Sequence, residues 1–143
     1  MLDKEKEFKE VAINLDGLHF DLRLWINKLK HTRSELNILQ CNLDKLVKHY
    51  FNPESMMEVE QYQNKIIVYR ELADRLIKEA KSLRNKVAEI GKTEIPVLDE
   101  DDIPVVQQAL IEKISSYFNY VEDVKNNFLH FYTTCYISEN HVN

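Results

Sequence analysis

Glycine and proline are scarce in this sequence, with two glycines and three prolines among 143 residues. These residues make turns and end helices, so their scarcity argues against a fold of many short strands and loops. Two widely separated glycines also exclude a glycine-rich phosphate-binding loop. We therefore expect a few long elements in a single domain that covers residues 1–143.

Signals for export, membrane insertion and metal binding are missing as well. The N-terminal residues alternate in charge and lack the apolar segment of a secretory signal. No run approaches the ~18–20 apolar residues of a membrane span. Cys41 and Cys135 are the only cysteines, and their spacing fits no zinc motif. We expect reduced thiols without a disulfide, in a cytoplasmic protein that does not bind membranes.

The overall charge is mildly acidic, at −5. This charge disfavours nucleic acid as a partner, because phosphate binding needs clustered lysine and arginine. Hydrophobic residues make up 44% of the chain and charged residues 30%, a composition that is typical of a folded protein rather than a disordered one.

What the chain does contain is a long apolar heptad repeat. Two interleaved series run through the first fifty residues: Phe8, Leu15, Leu22, Leu29, Leu36, Leu43 and Tyr50, and Val11, Leu18, Trp25, Thr32, Leu39 and Leu46. Such a repeat predicts a helix that packs along partner helices, here over about residues 3–51. Asn52-Pro53 would end it. A break at Gly17 or Thr32 stays open.

Two further segments carry the same kind of pattern. The second predicted helix, about 54–91, has the series Val59, Tyr62, Ile66, Tyr69, Ala73, Leu76, Ala80, Leu83, Val87 and Ile90. The third, about 103–136, has Ile103, Gln107, Leu110, Ile114, Tyr117, Val121, Val124, Phe128, Phe131 and Cys135. A linker of about 92–102 separates them, and a polar tail of about 138–143 follows.

Short connections make consecutive helices antiparallel neighbours, so the fold class is all-α, an up-down-up, spectrin-like three-helix bundle. The second and third helices are too short to cover the whole first helix. Its beginning, with Phe8 and Val11, needs other cover. Either the linker residues Ile95, Val97 and Leu98 supply it, or a second chain does.

The residues suggest no catalytic or metal site. A di-iron bundle needs paired Glu-x-x-His motifs, and this sequence contains none. His31 and Glu35 are spaced i, i+4 and could share a ligand, but this spacing is common and a solvated ion pair or hydrogen bond explains it. The acidic run 99–102 lacks the ligand spacing of a calcium loop and fits a helix start instead. We expect no catalytic residue, no metal and no cofactor.

Aromatic and methionine residues give the best candidates for an interaction surface. Several of them should meet at the bundle end that holds the first turn, and the uncovered start of the first helix adds two more. The candidate surface comprises Phe8, Val11, Tyr50, Phe51, Met56, Met57, Tyr132 and Tyr136. The aromatic residues within the three heptad series are explained by packing in the core. The alternative is a cavity beside Ala73 and Ala80, lined by these rings, that holds a small apolar ligand.

Two stretches resemble a known family. Residues 18–29, LHFDLRLWINKL, are similar to the opening of a small family of bacterial helical proteins. Residues 63–67, QNKII, and the pair Arg70-Glu71 resemble the same family. No activity is assigned to it, so the resemblance implies a bundle of long helices in a bacterial cytoplasm and no functional residues.

These features together predict a non-enzymatic interaction or scaffold protein. The expected partner is a second copy of the chain, forming a dimer, or another helical protein. A third possibility is that the chain is itself a toxin–antitoxin or stress-response partner. The alternative is a metal- or ligand-binding bundle with a sensing or redox role. His19, His31, Glu35 and the layer of Ala73 and Ala80 would then take part.

Overall fold

The computed structural model describes the backbone of residues 2–49, 52–92 and 102–141, and the side chains of residues 17–49, 52–90 and 103–137. In these ranges the chain forms three long helices: α1 (Leu2–His49), α2 (Met56–Lys92) and α3 (Asp102–His141). The described residues contain no strand. The predicted all-α, three-helix fold is confirmed. The third helix continues beyond the predicted end at 136, because no glycine or proline stops it there.

The first helix is continuous through both positions at which a break was open. Gly17 is exposed, and no glycine in the described part of the chain has a positive φ. Thr32 is buried on the same face as Leu29 and Leu36. A buried threonine keeps the heptad in phase, because its hydroxyl is small and its methyl group packs.

A short 3₁₀ turn, Pro53–Ser55, joins α1 to α2. The Asn52 side-chain oxygen accepts a hydrogen bond from the Glu54 amide at 3.0 Å, and the Ser55 amide donates to the Asn52 carbonyl at 3.0 Å. Pro53 stands at the first position of the turn, where its missing N–H costs nothing. Asn52-Pro53 therefore both ends α1 and caps the next element.

The heptad series account for most of the buried interior. Fully or nearly fully buried members include Leu22, Leu29, Leu36, Leu43, Ile66, Ala73, Leu76, Ala80, Tyr117 and Val121. A few positions differ: Ile26 is buried beside a half-buried Trp25, and Ile77 is buried in addition to Leu76. An α-helix drifts about 20° per heptad against a strict 3.5-residue repeat, so the buried face moves onto neighbouring positions.

The chain divides into two compact units. Unit 1 comprises Met1–Lys30 with Arg75–Ile114, and unit 2 comprises His31–Asp74 with Ser115–Asn143. Each unit contains a part of α1, α2 and α3. In unit 1 the Lys113 Nζ lies 3.4 Å from the Glu79 carboxylate and joins α3 to α2.

Contacts inside unit 2 show the direction of its helices. Arg33 pairs with Asp74 at 2.6 Å and Arg70 donates to Asn37 at 3.1 Å, so numbers rise along α1 as they fall along α2. Aromatic rings also pair between α2 and α3. Tyr62 packs against Phe128 and Phe131, and Tyr69 packs against Tyr117. These pairings are antiparallel too, so the helices follow the predicted up-down-up order.

Candidate functional site

The predicted interaction surface falls only partly on described residues. Tyr50 and Phe51 lie outside them, as do the side chains of Phe8 and Val11 and the linker residues Ile95, Val97 and Leu98. Whether the linker or a second chain covers the start of α1 therefore stays a prediction. The remaining four residues, Met56, Met57, Tyr132 and Tyr136, all belong to unit 2.

The beginning of α2 and the end of α3 meet in unit 2, as the sequence predicts. A small cavity there has the following lining: Leu46, Val47, Asn52, Ser55, Met56, Val59, Phe131 and Cys135. Its volume is about 10 Å³, roughly what a single water molecule needs, so it does not hold an organic ligand. Met56 and Tyr132 are half-buried, whereas Met57 is 72% exposed and Tyr136 48% exposed.

The end of α3 also carries an uncharged outer face. Residues 126–138 contain no aspartate, glutamate, lysine or arginine. We define the outer stripe of α3 as Leu129, Thr133, Tyr136 and Ile137, all of which are exposed. The first three are spaced i, i+4 and i+7, so they lie on one side of the helix.

The threonine hydroxyls of this face are already satisfied. Thr133 Oγ1 donates to the Leu129 carbonyl at 2.8 Å, and Thr134 Oγ1 donates to the His130 carbonyl at 2.8 Å. A hydroxyl that bonds back to its own helix has less need of water or of a partner's acceptor. The outer stripe therefore presents methyl groups, a leucine and an aromatic ring to its surroundings.

Both cysteines are free thiols, Cys41 exposed and Cys135 half-buried. Burial raises the pKa of the Cys135 thiol, and the nearby negative charge of Glu58 adds to the increase, while a hydrogen bond with Ser55 opposes it. The thiolate is the nucleophilic form of cysteine. Cys135 is therefore protonated at neutral pH and acts as a small packing residue.

Among the rings that the structure describes in unit 2, Tyr117 is the most deeply buried, at 1% exposure, and its hydroxyl has no hydrogen-bond partner among the described residues. Burial raises its pKa to about 12, with smaller influences from the charges of Asp74, Arg33 and Glu35. Those three residues belong to α1 and α2, so the ring reaches from α3 across the interior of the unit. A phenol with such a pKa is a poor proton donor or acceptor at neutral pH.

The residues of the metal-binding alternative do not converge. His31 Nε2 lies 3.7 Å from one oxygen of Glu35, and Lys125 Nζ lies 2.5 Å from the other. The hydrogen bond from Lys125 to Glu35 is the main reason that the lysine pKa is raised. Among the side chains that the structure describes, no three histidine, cysteine, aspartate or glutamate residues form a group able to hold a metal ion.

The two alanines of the predicted layer lie in the interior of the bundle. Ala73 and Ala80 are both fully buried. Neither residue lines the small cavity of unit 2 or the groove of unit 1 described next. Small side chains here are explained by close packing of neighbouring helices.

Unit 1 contains a groove that was not predicted from the sequence. Residues 75–86 of α2 and 105–113 of α3 border an open groove with a volume of about 650 Å³. Its apolar lining comes from Leu83, Val105, Val106, Ala109 and Leu110. The sequence does hint at this groove through Val105 and Val106, which follow the buried Ile103. Two consecutive residues of a helix point in different directions, so both valines cannot face the interior, and at least one must lie on the surface.

Comparison of the chain with protein-family models, with curated proteins and with solved structures finds no match. The resemblance to a bacterial helical family therefore stays a prediction. In the described ranges, none of the helices combines the length and the apolar character that crossing a bilayer requires.

Proposed function

We propose that this chain is a non-enzymatic interaction protein whose partner is a second copy of itself. The observation that carries the proposal is the outer stripe of α3, where Leu129, Ile137 and the ring of Tyr136 are exposed and the Thr133 hydroxyl is bonded to its own helix. Such a surface forms few hydrogen bonds with water, and burying apolar surface against another helix is favourable by about 25 cal/mol per Å².

Two properties of the stripe favour a second copy over an unrelated partner. It carries no charge, so it selects for a partner face that is equally uncharged. In a dimer with two-fold symmetry the same patch meets itself, which satisfies that requirement automatically. Met57, which belongs to the predicted surface together with Met56, Tyr132 and Tyr136, is exposed at the start of α2 in the same unit.

The alternative of a metal- or ligand-binding bundle has weaker support. Its proposed ligand pair, His31 and Glu35, is exposed or already engaged by Lys125. The resemblance to bacterial helical proteins supports placing the protein in a bacterial cytoplasm, as part of the same proposal. The protein would act through contacts made by its helix faces rather than through an active site.

Sedimentation equilibrium on the full chain tests the proposal. We expect a monomer–dimer equilibrium between about 1 and about 100 µM, the range for a modest interface. The paired substitution Leu129→Glu and Tyr136→Glu should shift the protein to monomer, because it places like charges opposite each other.

The matched control is Ile38→Glu with Ile67→Glu, two exposed apolar residues of unit 2 on α1 and α2. This variant should dimerise as the wild type does. A wild type that remains monomeric at the highest concentration contradicts the proposal. So does a dimer that the α3 substitutions leave intact.

A further inference from the structure

The groove of unit 1 combines an apolar floor with a basic rim. Leu83 and Leu110 are buried at its base, whereas Val105 is 70% exposed and Val106 is exposed beside it. Arg75, Lys78 and Lys86 line it from α2, and Lys113 lines it from α3. We call this feature the basic groove.

The rim charge stands out against the rest of the chain. Residues 75–86 contain five basic residues and one acidic residue, a local charge of +4 in a chain whose net charge is −5. The single carboxylate that lines the groove, Glu79, lies 3.4 Å from Lys113 and offsets it. The charged residues that line the groove are thus four basic residues and one acidic residue, and three of the basic ones, Arg75, Lys78 and Lys86, belong to α2.

The dimensions of the groove suit a helical segment. Residues 75–86 span about 18 Å at 1.5 Å per residue, or roughly three helical turns. The volume of about 650 Å³ is open along two helices rather than enclosed, which fits a row of side chains better than one compact ligand. An amphipathic helix fills such grooves with apolar residues spaced i, i+4 and i+7.

We propose that the basic groove binds an acidic amphipathic helix of a partner protein. The apolar stripe of that helix packs on Leu83, Val105 and Val106, and its flanking carboxylates face Arg75, Lys78 and Lys86. The inference goes beyond self-association, because it concerns a different unit, a charged surface and a partner of another sequence.

The lining favours this occupant over other anionic partners. None of the described side chains that line the groove is aromatic, so these side chains offer no platform on which nucleic-acid bases could stack. A membrane surface is flat and would not enter a cleft between two helices. A helix with carboxylates on its flanks satisfies both the concave apolar floor and the charge of the rim.

Fluorescence anisotropy with two labelled peptides provides the test. The probe is a four-turn helical peptide with leucines at i, i+4, i+7 and i+11 and glutamates on both flanks. The comparison peptide keeps the leucines and replaces each glutamate by glutamine. We expect the full-length protein to bind the acidic peptide at least about tenfold more tightly, with the difference shrinking as salt rises.

Protein variants then locate the binding site. Lys78→Glu with Lys86→Glu should weaken binding of the acidic peptide by about tenfold or more, and Val105→Asp should weaken binding of both peptides. The substituted side chains are all exposed, so the fold is expected to survive, which circular dichroism checks. Lys45→Glu with Lys48→Glu, two exposed lysines of unit 2, should change binding less than about twofold.

Three results would overturn the inference. One is equal binding of the two peptides, and another is binding that the groove variants leave unchanged. The third is tighter binding to a DNA duplex or to vesicles of anionic lipid than to the acidic peptide. Self-association through the groove, seen as a dimer mass in sedimentation that the groove variants abolish, counts as the same result. Repeating the titration with the Leu129→Glu, Tyr136→Glu protein separates this inference from the self-association proposal.

Discussion

At the scale of single residues, the hydroxyl of Tyr117 is the clearest unfavourable feature of unit 2. It is buried and has no partner, so folding removes it from water without compensation. An unsatisfied buried polar group costs about 1–3 kcal/mol. The surrounding rings, among them Tyr69 at 6.3 Å between centroids, stabilise the aromatic part of the same side chain.

Replacing the hydroxyl should therefore stabilise the protein. We predict that Tyr117→Phe raises the free energy of unfolding by about 1 kcal/mol, because the ring stays and the unsatisfied group goes. Urea unfolding followed by circular dichroism measures the change. Tyr120→Phe, at an exposed position in the next turn of α3, is the control and should alter stability by less than about 0.5 kcal/mol. A destabilised Tyr117→Phe would show that the hydroxyl has a partner.

The same residue predicts a loss of stability at high pH. Its pKa is raised in the folded state from the ordinary value of 10.0 to about 12, so the folded chain favours the neutral phenol. Its contribution is complete below pH 10 and is lost as the pH rises through about 12. Over that window Tyr117→Phe should lose less stability than the wild type. The raised pKa of Lys125 adds a loss that both proteins share.

Gly17 offers a second test at this scale. It lies inside α1, has no positive φ, and an added Cβ would meet nothing within 4 Å. Alanine is favoured over glycine in a helix interior by about 0.5–1 kcal/mol. We predict that Gly17→Ala raises the melting temperature and the helical circular dichroism signal. A lower melting temperature would mean that the glycine is needed for a contact the backbone does not reveal.

At the scale of elements, the helices were largely predictable. Each one follows an apolar series of constant period, and Asn52-Pro53 marks the first turn unambiguously. The shift from Trp25 to Ile26 was not predictable, because it depends on how the face drifts once helices pack. Tyr62 and Tyr69 are half-buried members of the α2 series, and each pairs with a ring of α3.

The phase of α1 can be tested with two substitutions two positions apart. Leu36 is fully buried and Ile38 is exposed on the same helix. We predict that Leu36→Ala lowers the free energy of unfolding by about 2–5 kcal/mol, because it leaves a cavity. Ile38→Ala should cost less than about 0.5 kcal/mol. Similar losses at both positions would contradict the buried face described for α1.

Ion pairs between helices contribute less than this packing. Arg33 and Asp74 pair at 2.6 Å, yet both side chains are substantially exposed. Exposed pairs are typically worth about 0.2–1 kcal/mol, and salt screens them. A double-mutant cycle with Arg33→Ala and Asp74→Ala should give a coupling in that range that falls in high salt. A coupling of several kcal/mol would mean that the pair, not the apolar face, aligns α1 with α2.

At the scale of the whole molecule, the three-helix fold was predictable from the sequence, whereas the kind of function stays a prediction. The proposal of an interaction protein rests on exposed apolar residues of the helix faces. The end of α3 entered the predicted surface through Tyr132 and Tyr136, although Leu129 and Thr133 complete the outer stripe. The basic groove could not be predicted from the sequence, because it lies between residues 75–86 and residues 105–113 and depends on how these two helices align.

The central claim, that the chain works through self-association and not through a bound cofactor, is tested most directly by native mass spectrometry. The protein would be purified gently from cells and its native mass compared with its denatured mass. We predict ions at twice the chain mass with no retained small molecule. Ions at the single-chain mass, carrying a reproducible extra mass that is lost on denaturation, would contradict the claim and favour a ligand- or metal-binding bundle.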